Sequence, residues 1–272
     1  MGDKPAMLPV AGAIKKRPPD VKEFEFGPWK VTSCKSHILE SEGEQRKRFD
    51  SQLELPQLPE MVFPENVLRV MHESGAGIEF NALDALTLVD AHADPVKVAA
   101  SEEWQNARSD CEHIKNVISP FDWTFTTNYK GTILQNGTVA MKVSDTTEKI
   151  NLDNLKKREP IHFYDDVLLF EDELSDNGTS ILNVKVRVMP SCFFILMRLF
   201  CRVDNVLIRV NDTRLYHEAG QNYMLREFSS REEKTTNIPT AVHTDPNEVS
   251  QYLKLTQQTC ERLEFSEVSS TS

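Results

Sequence analysis

A run of acidic side chains between residues 165 and 176 is the stretch whose composition is best suited to hold a metal ion. It consists of Asp165, Asp166, Glu171, Asp172, Glu173 and Asp176. Hard cations are bound by several oxygen ligands that converge on one point. On a strand Glu171 and Glu173 would share a face, but no companion ligand motif follows them. We therefore expect a solvated hairpin edge whose charges discourage association between edges, with an acidic rim for a basic partner as the alternative.

The other reactive residue types show no catalytic pattern. The seven histidines are dispersed, and nothing in the sequence pairs one of them with a nucleophile. The nucleophile-elbow, Walker, zinc-protease and zinc-finger motifs are absent, and the five scattered cysteines include no C-x-x-C pair. We expect a non-catalytic protein without metal or cofactor. A metal-dependent hydrolase that uses the acids at 171–173 is the less favoured alternative.

Arginine is concentrated in the part of the chain that is densest in strand patterns. The residues concerned are Arg187, Arg198, Arg202, Arg209 and Arg214. Such guanidinium groups either pair with nearby carboxylates, among them Asp204, Asp212 and Glu218, or line a groove that binds an acidic peptide or a terminal carboxylate. Asp84 also has two interpretations, because it could stabilise a helix N-terminus or, beside Glu79 and Asn81, contact a partner directly. The sequence leaves both alternatives open.

The charge of the chain restricts its partners. With 42 acidic and 31 basic side chains the net charge is -11, which repels nucleic acid and anionic membrane surfaces. The longest apolar stretch, Cys192 to Val203, is interrupted by two arginines and is too short to span a bilayer. The N-terminus has no apolar signal segment, and the cysteine usage is typical of reduced thiols. We therefore predict a cytoplasmic protein that binds neither nucleic acid nor membranes.

The elements that must position these residues are mainly antiparallel strands joined as hairpins. Leu182 to Val188 alternates apolar and polar residues and indicates a half-buried strand, whereas Cys192 to Val203 is apolar on both faces and indicates a central one. Asn-Gly and Asp-Asn pairs mark the turns. The predicted hairpins join Val167–Leu174 to Leu182–Val188, Cys192–Val203 to Val206–Val210, Thr124–Leu134 to Thr138–Val143 across Asn136-Gly137, and Val67–Met71 to Ile78–Phe80.

Short helices are predicted around this sheet. Asn81 is a suitable N-cap for Ala82 to Val89, and Asp94-Pro95 and Asp245-Pro246 are typical helix starts, the latter for a helix that ends at Leu253. The fold class is therefore α+β, with a mainly antiparallel, sandwich-like core built from hairpins and short peripheral helices. We predict one domain over residues 23–265, between disordered tails at 1–22 and 266–272.

Long motifs in the sequence resemble those of the TIPRL family, the TOR signalling pathway regulator-like proteins. They include FGPWKVTSCKSHI (residues 26–38), GIEFNALDAL (77–86), VLLFEDELSDNG (167–178), YMLREFSSRE (223–232) and the whole of 184–218, which contains RVNDTRLYHE. The similarity extends over about residues 24 to 255. The chain departs from the family pattern in its longer proline-containing N-terminal tail and in residues 42–55.

The resemblance implies a non-catalytic regulator linked to TOR signalling. Its partners would be the catalytic subunits of type 2A, type 4 and type 6 protein phosphatases and the alpha-four/Tap-type phosphatase chaperone. It would inhibit the phosphatase or alter holoenzyme assembly; a scaffold that joins a phosphatase to another client is the alternative. The motif positions expected to contact the partner are Asp84, Arg187, Arg209, Asp212, Arg214 and Tyr216.

Overall fold

The computed structural model describes residues 17–89, 123–135 and 139–267, and within these ranges the chain forms thirteen strands and four short α-helices. All of the strand pairs are antiparallel, and they build two sheets. This confirms the predicted α+β class with a mainly antiparallel core.

The smaller sheet has five strands in the order β1-β2-β4-β5-β6, and the larger has eight in the order β3-β8-β9-β10-β11-β12-β13-β7. Two 3₁₀ turns, at Thr235–Asn237 and Thr240–Val242, precede the last helix. The elements in chain order are β1 (Asp20–Phe26), β2 (Trp29–Lys35), α1 (Glu44–Gln52), β3 (Met61–Val62), β4 (Val67–His72), β5 (Gly77–Asn81), α2 (Ala82–Leu86), β6 (Thr132–Leu134), β7 (Val139–Asp145), α3 (Leu152–Lys156), β8 (Phe163–Asp172), β9 (Gly178–Val188), β10 (Cys192–Val203), β11 (Leu207–Glu218), β12 (Tyr223–Lys234), α4 (Pro246–Val249) and β13 (Lys254–Glu267).

The alternating sequence of β9 gives the larger sheet two distinct faces. Leu182, Val184, Val186 and Val188 are at most 1% exposed and point toward the smaller sheet, so we call this the inner face. The polar residues between them lie on the outer face. β10 is flanked by β9 and β11, which confirms its prediction as a central strand. The hairpins β8–β9, β10–β11 and β4–β5 are confirmed as well.

One hydrophobic core joins the two sheets. Trp29 of the smaller sheet packs edge-on against Phe193 of the larger sheet, with ring centroids 5.3 Å apart, and both belong to the same buried cluster. Phe26 also lies edge-on to Phe193, at 5.6 Å. Burial of an aromatic side chain of this size contributes on the order of 2–3 kcal/mol. The sheets are therefore held face to face by shared apolar surface.

The predicted hairpin across Asn136-Gly137 is wrong. β6 pairs with β5 in the smaller sheet, whereas β7 pairs with β13 at the edge of the larger one; the Asn-Gly pair itself lies outside the described residues. The polypeptide from Thr124 to Gly131 is not a strand. It crosses the inner face of the larger sheet, whose side chains bond its carbonyl oxygens: Asn211 donates to Thr127 at 3.0 Å and Thr213 to Tyr129 at 3.0 Å.

The β8–β9 turn differs from the expected Asn-Gly geometry. Leu174, Ser175 and Asp176 all have positive φ angles, as does Gly178, while Asn177 does not. The Asn177 side chain instead donates hydrogen bonds to the carbonyl oxygens of Leu174 and Ser175, at 3.1 and 2.7 Å. The asparagine therefore stabilises the turn through its amide group, a role that Asx side chains often have.

The helices and chain ends differ from the prediction in length. Asn81 caps α2 and Asp245 caps α4 as expected, but these helices end at Leu86 and Val249. The helix predicted after Asp94-Pro95 lies outside the described residues. β1 begins at Asp20 and β13 ends at Glu267, so strands extend into both predicted tails. The single domain stays a prediction.

Candidate functional site

Two apolar clusters cover part of the outer face of the larger sheet. One lies beside α3 and contains Ile150, Met189, Cys192, Tyr216 and Leu225. The other lies beneath α4 and contains Phe200, Ile208, Val210, Ile238, Val249 and Leu253. Between the clusters runs a cross-strand row of less buried residues, Lys185, Leu196, Arg214 and Glu227, which we call the central strip.

Arg214 and Lys185 bring positive charge to the central strip. Their side chains are 29% and 44% exposed. Lys185 lies 3.0 Å from Asp166, and Arg214 lies 3.2 Å from Asp212. Because both cations flank the apolar Leu196 in the register, the strip combines apolar contact surface with donors suited to a carboxylate.

Asp212 is a buried structural anchor. Its carboxylate is 1% exposed and accepts a two-pronged hydrogen bond from Arg198, Nε to Oδ1 at 2.7 Å and Nη2 to Oδ2 at 2.9 Å. The same guanidinium donates to the Asn247 side chain at 2.7 Å, so it fastens α4 to the sheet. Loss of one partner from such a pair costs roughly 3–5 kcal/mol. Asp212 therefore acts on the outer face through Arg198.

Arg187 lies next to the α3 cluster with an incomplete set of hydrogen bonds. Its Nη2 donates to the carbonyl oxygen of Leu155 at 3.2 Å, which attaches it to the last turn of α3. Its Nε is buried and has no hydrogen-bond partner among the described residues. A buried unpaired donor on a charged group is costly, so the described contacts leave Arg187 only partly satisfied.

Tyr216 belongs to the apolar cluster beside α3. It is 4% exposed, and its hydroxyl accepts a hydrogen bond from Asn154 at 3.3 Å. Burial raises the pKa of Tyr216 to about 12, so the phenol is neutral at physiological pH. Tyr216 and Arg187 both face Phe194 from opposite sides, which places them in one row of the outer face.

Arg209 belongs to the opposite face. It pairs across strands with Cys201, a member of the buried core, and its Nε donates to Glu232 at 2.7 Å. Its Nη1 donates to the Thr126 hydroxyl at 2.7 Å. The register therefore separates Arg209 from Asp212 and Arg214, with which the sequence grouped it, and attaches it to the segment that crosses the inner face.

Asp84 lies in a polar network of the smaller sheet. Its backbone amide donates to the Asn81 side chain at 2.9 Å, which caps α2, and its carboxylate accepts hydrogen bonds from Asn81 and from the Thr132 hydroxyl. Asn81 also donates to Glu79, which pairs with Arg69. Asp84 is half-buried, and its hydrogen bonds to Asn81 support the start of α2.

Two residues of the acidic run are buried, which corrects the expected solvated edge. Asp165 binds Ser33, Lys22 and Lys35 of the smaller sheet; burial acts to raise its pKa, but hydrogen bonds from Lys35 and Ser33 outweigh this and lower it. Asp172 accepts hydrogen bonds from the backbone amides of Glu60 and Leu174, and burial raises its pKa. Both carboxylates thus join elements of the fold.

The sequence analysis considered Arg198 as a pairing or groove-lining arginine but listed neither Arg198 nor Lys185 among the expected contacts. Their positions follow from the register, which sets Arg198 opposite Asp212 and Lys185 opposite Leu196. The period of two along β10 already puts Arg198 on the face opposite the fully apolar one, so this part of the signal was present in the sequence. The pairing partner requires the strand register.

Among the residues that the structure describes, no three His, Cys, Asp or Glu side chains are grouped so that they could hold a metal ion. No helix there is both long enough and apolar enough to cross a membrane.

The fold and this surface define a two-sheet antiparallel protein with a charged, partly covered outer face. The chain belongs to the TIP41-like family, whose sequence profile matches residues 61–239, and this confirms the resemblance carried by its motifs. It is 53% identical over 249 residues to TIP41-like protein of Homo sapiens, covering 90% of both chains. It is 40% identical over 261 residues to TIP41-like protein of Caenorhabditis elegans, covering 92% of this chain and 90% of the relative. It is 37% identical over 272 residues to the type 2A phosphatase activator TIP41 of Saccharomyces cerevisiae, covering 90% of this chain and 76% of the relative.

Proposed function

We propose that this chain is a non-catalytic cytoplasmic regulator that binds the catalytic subunits of type 2A protein phosphatases. The printed names of the budding and fission yeast relatives, type 2A phosphatase activator, support the partner class. We extend the proposal to type 4 and type 6 catalytic subunits, to the alpha-four/Tap-type chaperone and to a role in TOR signalling. Binding lowers phosphatase activity or changes holoenzyme assembly.

The proposal depends on the incomplete pairing and partial exposure of two arginines on the outer face. Arg187 retains a buried donor without a partner in the described ranges, and Arg214 is partly exposed on the central strip. Guanidinium groups beside apolar surface are favoured at protein interfaces because they combine planar contact with directed hydrogen bonds. An extended segment that carries a carboxylate, such as an acidic C-terminal tail, matches these donors.

The predicted site residues divide into three roles under this proposal. Arg187 and Arg214 contact the partner directly, and Asp84 provides a second contact on the smaller sheet. Asp212 and Tyr216 position the outer face, because one is fully paired and the other is buried. Arg209 positions the segment that crosses the inner face through its bond to Thr126.

Regulation then follows from competition. A protein that binds the free catalytic subunit shifts the population away from assemblies that need the same surface, by an amount set by its difference in affinity. The chain therefore requires no catalytic group of its own. Asp84 lies on the smaller sheet and Arg214 on the outer face of the larger one, and this separation favours the scaffold as the second candidate function.

We predict that Arg214→Glu weakens binding of a purified type 2A catalytic subunit roughly tenfold or more, because it reverses a charge at the proposed contact. Binding is measured by biolayer interferometry, and only variants whose melting temperatures match that of the wild type are compared. Lys47→Glu is the control, since Lys47 is 73% exposed on α1 and belongs neither to the central strip nor to the α3 turn that Arg187 contacts. Asp212→Asn is unsuitable as a contact test because it also breaks the ion pair with Arg198.

Unchanged affinity of Arg214→Glu would remove the central strip from the proposal. Asp84→Asn, which keeps the size of the side chain, tests the second surface in the same assay. Loss of phosphatase binding in Arg214→Glu together with full retention in Asp84→Asn supports the scaffold, in which the smaller sheet is left for another client.

A further inference from the structure

A pocket of about 220 Å³ opens at the corner of the outer face, beside the turn that joins β11 to β12. Tyr216 and Leu225, which are cross-strand neighbours, give it an apolar surface, and Tyr223 adds a second aromatic ring. Glu148 and Glu218 contribute carboxylates to the lining. The volume is sufficient for one long side chain, and the lining combines aromatic surface with negative charge.

The Tyr223 ring is fixed in place. Its hydroxyl donates a hydrogen bond to Glu148 at 2.9 Å, and Arg262 lies over the ring with its guanidinium carbon 3.7 Å from the centroid. Arg262 is also 3.7 Å from the Glu148 carboxylate. Tyr223 and Glu148 therefore already hold one guanidinium group, that of Arg262, which is not itself part of the pocket lining.

The charge within the pocket is not fully balanced. The Glu218 carboxylate is exposed and makes no ion pair or hydrogen bond with any described residue. Lys149, the one cation of the lining, is directed to the Cys260 sulfur at 2.9 Å. Burial raises the pKa of Tyr223, and Glu148 and Glu218 raise it further against the opposing charge of Arg262. Glu218 also raises the pKa of Tyr216, so both rings experience its field.

We infer that this pocket binds one basic side chain, the guanidinium of arginine or the ammonium of lysine, presented by an extended segment of a protein partner. The apolar stem of such a side chain covers Tyr216 and Leu225 while its cation reaches Glu218 and Glu148. The Tyr216 row of the outer face is directly adjacent to the row of the central strip. An extended segment that lies on the strip, as the proposed function has it, therefore passes the pocket, and a basic residue next to its acidic group would reach Glu218.

The test uses the isotope-labelled full chain and N-acetyl-arginine methylamide as the probe. Binding is followed by the NMR shifts of the backbone amides of Glu218, Gln221 and Tyr223. We expect saturable shifts with a dissociation constant in the millimolar range, because a single side chain offers few contacts. N-acetyl-citrulline methylamide, which has nearly the same shape without the charge, is expected to give little or no shift.

Glu218→Gln is expected to weaken arginine binding about threefold or more, because it removes the carboxylate that has no partner of its own. The matched control is Glu44→Gln, which removes an equal charge from a side chain 90% exposed on α1. Equal shifts with arginine and citrulline, or an unchanged affinity in Glu218→Gln, would overturn the inference. The assay contains no phosphatase, so its outcome is independent of the proposed function.

Discussion

His217 connects the two sheets through a hydrogen bond that depends on its protonation state. Its Nε2 accepts from the Trp29 indole at 3.1 Å, and its Nδ1 lies 2.9 Å from the carbonyl oxygen of Tyr223. A carbonyl only accepts, so Nδ1 carries the proton and Nε2 must be unprotonated. Burial lowers the pKa of His217, and nearby His72 lowers it further, against the opposing bond to Tyr223. The neutral imidazole is therefore the form that folding selects.

We predict that this histidine makes the protein less stable as the pH falls. At a pH above the ordinary histidine value of about 6.5, folded and unfolded forms are both neutral and its stabilisation is complete. Below it the unfolded chain binds the proton first, so the free energy of unfolding declines until the lowered pKa of the folded state is reached. Urea unfolding at about pH 7.5, 6.5 and 5.5 measures the decline.

His217→Gln keeps an acceptor near Trp29 but has no titrating group. At neutral pH we expect this variant to be about 1–3 kcal/mol less stable than the wild type, because buried hydrogen bonds are imperfectly replaced. The difference in the free energy of unfolding between the variant and the wild type is expected to become smaller toward pH 5.5. Parallel stability curves for the two proteins would show that His217 does not titrate as inferred.

At the scale of single elements, strict patterns were predictable and supporting contacts were not. The alternation of Leu182 to Val188 and the apolar run after Cys192 predicted β9 and β10 because burial on one face or both leaves a period in the sequence. The segment Thr124 to Gly131 leaves no such period. Its carbonyl oxygens are bonded by side chains that come from strands some 80 residues later, such as Asn211, which only the folded sheet brings into reach.

The same limit applies to the site. Asp84 was placed correctly beside its cap because capping depends on residues three positions apart. Arg209 and Asp212 differ in sequence by an odd number of residues, which already indicates opposite faces of a strand. The sequence analysis nevertheless grouped the two residues, because they belong to one motif. Their actual partners, Glu232 and Arg198, lie on the two strands that flank β11.

The turn before β9 depends on a glycine for steric reasons, which gives a prediction for the element. Gly178 has φ of 147°, and a Cβ there would clash with the carbonyl oxygen of Arg202 on β10. Gly220 has φ of 85°, yet a Cβ there meets nothing within 4 Å. Both positions disfavour alanine through the backbone, at about 1 kcal/mol, but only the first adds a collision with a central strand.

We therefore expect Gly178→Ala to reduce the free energy of unfolding at least about twice as much as Gly220→Ala. Guanidinium unfolding of the two variants and the wild type, monitored by circular dichroism, provides the comparison. Equal losses would mean that β10 shifts without cost to admit the methyl group.

The molecule as a whole is held together by contacts between the sheets. The core cluster contains Trp29 and Val31 from the smaller sheet together with Phe193 and Leu215 from the larger. Asp165 adds polar bonds from the larger sheet to Ser33, Lys22 and Lys35. The inner face of each sheet is therefore covered by the other, which favours the predicted single domain.

This arrangement predicts a single cooperative unfolding transition. Trp29 at the sheet interface contributes to the tryptophan fluorescence, together with Trp104 and Trp123, and circular dichroism reports on the strands. The two urea midpoints should therefore coincide. Asp165→Asn should lower both midpoints together, because it weakens the bonds to Lys35 and Lys22. Separate midpoints in the wild type would indicate two domains.

The short strand β3 has a consequence for how the chain is made. Met61 and Val62 belong to the larger sheet, yet their only described strand partners are Glu171 and Phe170 of β8. Met61 and Val62 leave the ribosome long before β8 is synthesised. During that interval the residues of β3 have no strand to pair with, although they lie in the chain between the strands of the smaller sheet. Nascent chains halted before residue 170 should therefore be the form most in need of chaperones.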